Sequence, residues 1–167
     1  VYAGLDPAIV PRGSVKTLAV VQEMEKPIDV DPERRAFGFQ FPVVSAGATY
    51  APKKVWGYAT VEQDGSAYFK VPAREPIYFL PLDAEGRAVQ RMRTFTHLMP
   101  GEVQGCIGCH ADRNSAALKA ESTRSTATKR QPEALTIPSW GLGGFSYSRN
   151  VQPVWDKHCV RCHGSDI

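Results

Sequence analysis

Long apolar runs are missing from this sequence of 167 residues. None approaches the roughly 20 residues that a helix needs to span a bilayer, so no transmembrane segment is expected. A strong charge imbalance is missing too. Twenty Lys and Arg against 17 Asp and Glu leave a net charge of +3, and no basic stripe is interleaved with aromatics, so a nucleic-acid partner is not expected. There is no G-x-S-x-G, no P-loop and no H-E-x-x-H, which removes three common hydrolytic and nucleotide-binding signatures. Carboxylates are scattered rather than paired. The chain opens at Val1 with no charged stretch leading into an apolar one, so no signal peptide is read. It is expected to be a piece of a longer protein.

What is present points to a β-rich globular chain. Apolar residues make up 43% and charged residues 22%, the balance of a chain able to bury a core. Fourteen Gly and 13 Pro argue against an all-helical bundle. Strands are predicted over 15–21, 55–61, 67–71, 77–82 and 87–93 from their β-branched and aromatic content. Asp64-Gly65 is a hairpin turn signal between the second and third. Pro81 marks its strand as a sheet edge. Short strands at near-regular spacing predict an antiparallel sandwich, with Trp56, Tyr58, Tyr68, Phe69, Tyr78 and Phe79 in its core. After residue 111 the pattern changes. Residues 115–121 read as a short helix and 122–131 as an exposed Ser/Thr/Lys/Arg-rich linker. Val151, Val154, Trp155 and His158 recur at helical spacing. Ser146 or Ser148 is the candidate cap, and Pro153 fits only the first turn of that helix.

All four cysteines fall in two identical frames, Cys106-Ile107-Gly108-Cys109-His110 and Cys159-Val160-Arg161-Cys162-His163. Each is C-x-x-C-H, the attachment signature for c-type haem. Two intervening residues let the thiols reach two vinyl groups on one porphyrin edge, and the following His then stands beneath the iron. The reading is therefore two covalently attached haem c groups, anchored by Cys106, Cys109, Cys159 and Cys162, with His110 and His163 as iron ligands. Two other readings remain open. Four thiolates make a tetrahedral zinc site, although the His after each pair is then superfluous. The pairs also suit structural disulfides or a redox dithiol.

Distal ligands are scarce. Only His97 and His158 lie outside the motifs. His97, in the loop before Cys106, is the candidate distal ligand, with Met99 as the alternative. His158 adjoins Cys159 on the proximal side of its own haem and is the weaker candidate, suited to packing or to a propionate. The four residues after His163 reach at most about 14 Å, too short to wrap a ligand over the second haem.

Three runs carry a resemblance: Glu62 to Pro72, Asp83 to Arg93, and Met99-Pro100-Gly101-Glu102 ahead of Cys106 to His110. Over residues 14–113 they resemble the hydrazine synthase alpha-subunit-like multihaem proteins of planctomycete bacteria. Tyr147 to Cys159 resembles the first helix of the cytochrome c domains in the same proteins. The resemblance implies a β-rich domain carrying one c-haem, joined to a second haem domain and followed by further haem domains of the same chain. It also implies that a hydrazine-forming haem takes a Tyr ligand four residues after the motif histidine, with that histidine turned towards zinc. Here that position is Asn114.

The expected organisation is a mainly β chain. A sandwich-like domain spans 1–97, a first c-haem segment 98–118, a linker 119–145 and a short helical cytochrome c segment 146–167. The expected function is electron transfer by a dihaem module to a redox partner protein. The alternatives are a haem enzyme with an open iron acting on a small nitrogen or oxygen species, and a zinc-binding structural module. Because haem is joined to thiols outside the cytoplasmic membrane, a periplasmic or equivalent compartment is expected.

Overall fold

The computed structural model describes residues 1–24, 53–109 and 125–164. Three strands form one antiparallel sheet: β1 (Thr17–Glu23), β2 (Lys53–Thr60) and β3 (Ile77–Leu82), in the order β2-β1-β3. A short helix, α1 (Gln152–His158), lies near the other end of the chain. The mainly β, antiparallel expectation holds in this form. Among the described residues there is one sheet, with no second sheet packed on it.

The central strand explains the arrangement. Leu18, Ala19, Val20 and Val21 are consecutive and all buried. Successive side chains point to opposite faces, so both faces of β1 need cover. On one face Leu18 packs with Tyr2, Leu5, Val10, Val15, Ala59 and Val61. On the other, Ala19 and Val21 pack with Tyr78 and Leu82. An irregular segment, Tyr2 to Val10, thus takes the place of a second sheet. The Tyr2 hydroxyl accepts from the Val15 N–H at 2.9 Å and donates to the Val15 carbonyl, which keeps a buried phenol satisfied.

Both sheet edges are covered. Outside β3, Thr96 exchanges two backbone bonds with Ile77, Met92 N–H donates to Phe79 and Val89 N–H to Pro81. Met92 to Val89 is three residues while Phe79 to Pro81 is two, so the segment predicted as a strand over 87–93 runs out of step and makes only isolated bridges. Outside β2, Tyr58 and Thr136 exchange bonds of 2.9 and 2.8 Å. Gly57 makes that approach possible. Its φ is +147°, and a Cβ there would lie 2.6 Å from the Thr136 carbonyl oxygen. The β1–β2 register slips between Val20 and Val21, leaving Trp56 as the extra residue of a bulge,.

The Asp64-Gly65 turn forms, with Glu62 N–H bonded to the Ser66 carbonyl. No hairpin follows it. Residues 68–70 pair with Glu133 instead, through Glu133 N–H to Tyr68 and Lys70 N–H to Glu133. The segment 125–136 is therefore docked on the sheet rather than forming an exposed linker. Ala127 is fully buried. Arg130 donates to Glu62 and to the Tyr68 carbonyl and pairs with Glu133. Asp64 accepts from Ser66 and from the Thr126 N–H, bonds that hold its carboxyl well below the usual carboxylate range.

Gly57→Ala is expected to destabilise the sheet by roughly 1–3 kcal/mol, because it adds a strained φ to a steric clash. Arg130→Ala is expected to cost about 1 kcal/mol by undocking this segment. Both are read as a lower denaturant midpoint. Asp64→Ala tests the pH dependence. A depressed carboxyl stabilises the fold above its unfolded value, about 3.9, and the effect is lost as pH falls through the folded value. The gap in midpoint between wild type and Asp64→Ala is therefore largest near neutrality and closes in acid. A gap that is constant with pH contradicts the assignment.

Candidate cofactor-attachment motifs

The second motif grows out of a helix end. Ser146 Oγ accepts from the Arg149 N–H, Tyr147–Val151 form a wide π turn, and Gln152 begins α1 with Pro153 in its first turn. This is the cap and proline placement that the sequence predicts. At the other end the Trp155 carbonyl accepts from Cys159 and Val160. The Cys159 carbonyl in turn accepts from Cys162 at 3.0 Å and from His163 at 2.9 Å. Cys159, Cys162 and His163 thus share one tight turn. Cys162 and His163 are exposed, as are Val154 (56%) and Trp155 (49%) one turn earlier. The apolar side chains that a macrocycle could cover are therefore available beside the thiols.

The first motif is built differently. Cys106 is exposed while Cys109 is half-buried and packs against the cluster of Tyr2, Leu5 and Val15. Gly108 has φ +71°, and its Cα faces the Ala3 carbonyl oxygen so closely that no Cβ fits. Cys109 N–H donates to the Val1 carbonyl at 3.0 Å. The described part of the motif, through Cys109, is thus held by the segment that precedes the sheet. Burial pushes the Cys109 thiol above its ordinary value. His110, Asn114 and the predicted helix over 115–121 lie outside the described residues.

His97 is exposed on a pinned loop. Its neighbours are fixed, Thr96 by its bonds to Ile77 and Leu98 by accepting from Arg74 N–H. The Thr96 hydroxyl also bonds Gln104, and Glu102 caps Met99 N–H. Met99 is 52% exposed. His158 is exposed at the end of α1. Among the described residues no group of three or more His, Cys, Asp and Glu could hold a metal ion, so Cys106 and Cys109 are not assembled with Cys159 and Cys162 into one four-thiolate site. None of the four cysteines is in a disulfide. Sequence reasoning missed Tyr2 and Gly108 as parts of the first motif. The signal the sequence offers is a glycine between the two cysteines.

A thiol raised by burial is less often a thiolate at neutral pH, and the thiolate is the nucleophile. In the haem-free chain Cys109 is expected to alkylate more slowly than Cys106, Cys159 and Cys162, as measured by peptide mass spectrometry over time. Equal rates for Cys106 and Cys109 contradict the placement.

Comparison with known proteins fits this architecture. Residues 13–111 match the family model described as the hydrazine synthase alpha subunit middle domain. The chain is 27% identical to the hydrazine synthase subunit alpha of Kuenenia stuttgartiensis, over 94% of its own length and 26% of that protein. The solved structure of Kuenenia stuttgartiensis hydrazine synthase superposes with a TM-score of 0.61 at 19% identity, covering 92% of this chain and 26% of the other. That likeness concerns the fold, and the chain spans about a quarter of the length of these relatives. With more than half of its residues inside the matched region, the chain belongs to the family of the hydrazine synthase alpha subunit middle domain.

Proposed function

We propose that this chain is a dihaem c-type cytochrome module for electron transfer within a larger multihaem protein. The observation that carries the reading is the turn after α1, where the backbone N–H groups of Cys162 and His163 both donate to the Cys159 carbonyl and no disulfide ties up either cysteine. Cys159 and Cys162 would hold one haem, with His163 as its iron ligand. Cys106 and Cys109 would hold the other, with His110 as ligand. Haem supplies one-electron chemistry, and its axial ligand and burial set the potential.

The chain's own residues fix the anchors. α1 delivers the second thiol pair at its end, and the sheet body seats Cys109 at its margin. His97 is the distal candidate, exposed on a loop that backbone bonds hold in place. His158, at the end of α1, remains the weaker candidate. The domain division at residues 97, 118 and 145 belongs to the same proposal, with 125–136 docked on the first domain. Partners would be a redox protein and further haem domains of the longer chain. The compartment would be periplasmic or an equivalent outside the cytoplasm, where haem is joined to thiols. Among the described residues no helix is long and apolar enough to cross a membrane.

A second reading is a haem enzyme subunit with one open iron. Its support is family membership together with the supply of only two non-motif histidines for two irons. The relative from Kuenenia stuttgartiensis is named a hydrazine synthase subunit. Asn114 stands where the resemblance calls for a Tyr ligand, and an amide is a poor substitute for a phenolate.

The deciding experiment is a haem count per chain with reduced spectra before and after carbon monoxide. Two covalent haems with unchanged spectra are expected for the electron carrier. A shifted Soret band on one haem transfers the assignment to the enzyme. Zinc without haem overturns both.

A further inference from the structure

We propose that the segment Val1–Ala3 is a clasp that docks the first C-x-x-C motif on the β-sheet body, making Tyr2 and Gly108 positioning residues for the first haem. The inference rests on the dihaem reading and adds that the two haems are held by different means.

Three contacts make the clasp. Cys109 N–H donates to the Val1 carbonyl. The Ala3 carbonyl packs on the bare Cα of Gly108. Tyr2, between them, is driven into the core and tied to both backbone groups of Val15. Its ring also lies against Gly65, where no Cβ fits either. The clasp therefore runs from the motif, through Tyr2, to the residue that leads into β1. A side chain at Gly108 would meet a backbone oxygen, which cannot swing aside as a side chain can, and the left-handed φ adds strain.

The second motif carries its own turn instead. There the Cys159 carbonyl does the work of holding Cys162 and His163. A Cβ at Gly164 would meet only the Val160 carbonyl of the same turn, at an ordinary 3.5 Å. A change in the clasp therefore reaches one haem and not the other.

The test uses the full-length holoprotein matured with haem. Four chains are compared: unmodified, Gly108→Ala, Tyr2→Phe and Gly57→Ala. Proteolytic peptides carrying 106–110 and 159–163 are scored for haem by mass spectrometry. Midpoint potentials are read in a Cys159→Ala, Cys162→Ala background, where only the first haem remains. Gly108→Ala is expected to lose haem from the 106–110 peptide or shift its potential, with the 159–163 peptide fully loaded. Tyr2→Phe keeps the ring and loses only its hydroxyl bonds, so it shifts the first haem's potential in a chain that still folds. Gly57→Ala destabilises the sheet at the β2 edge, touching none of the three clasp contacts, and leaves the first haem's potential unchanged.

The clasp is overturned if Gly108→Ala and Tyr2→Phe leave the first haem as it was, if they affect both motifs alike, or if Gly57→Ala reproduces their shift. Absence of haem from the 106–110 peptide of the unmodified chain overturns the dihaem reading itself, and the clasp with it.

Discussion

A strand with apolar side chains on both faces cannot leave either one in water. β1 carries Leu18 and Val20 on one side and Ala19 and Val21 on the other, all buried. Fully burying one such Val or Leu is worth roughly 1.5–3 kcal/mol, a large share of a domain's net stability. The neighbouring strands satisfy the hydrogen bonds of β1 and add side-chain contacts, Ala59 on one face and Tyr78 and Leu82 on the other. Cover on one face comes from Tyr2, Leu5 and Val10, a segment with no regular structure. That choice has a consequence beyond the core. The backbone beside Tyr2 becomes a fixed surface, and the first cysteine motif rests on it through Cys109 and Gly108.

The same logic governs the edges. Unpaired strand edges invite wrong pairing, and this chain closes both with irregular segments rather than further strands. Residues 87–96 follow β3 out of step, and residues 133–136 close on β2 where Gly57 leaves room. Arg130, Glu62, Glu133 and Asp64 then tie the second of these segments to the turn after β2. The family match over residues 13–111 covers the three strands and the first motif, but neither the docked segment nor α1.

Much of this was legible in the sequence, for a physical reason in each case. β1, β2 and β3 were readable because β-branched and aromatic runs report half-buried strands. The cap at Ser146 and the place of Pro153 were readable because capping is local. The motifs were readable because their chemistry is in the spacing. Three features were not. The 87–93 run has strand composition, but its pairing is decided by register against β3. The 125–136 segment is polar in composition, yet it docks through backbone bonds, through Ala127 and through Arg130, whose partners lie far away in sequence. The need for glycine at position 108 is not legible locally because the carbonyl that imposes it belongs to Ala3.

The central claim is that the first cysteine motif belongs to the cooperative unit of the sheet, while the second belongs to a local helical turn. Native-state hydrogen exchange resolves this amide by amide. The Cys109 amide, bonded to Val1, should exchange with the same free energy as the Val20 amide in β1, while the Cys162 and His163 amides exchange through a smaller, local opening. A Cys109 amide that exchanges as freely as those of Cys162 and His163 would contradict the account.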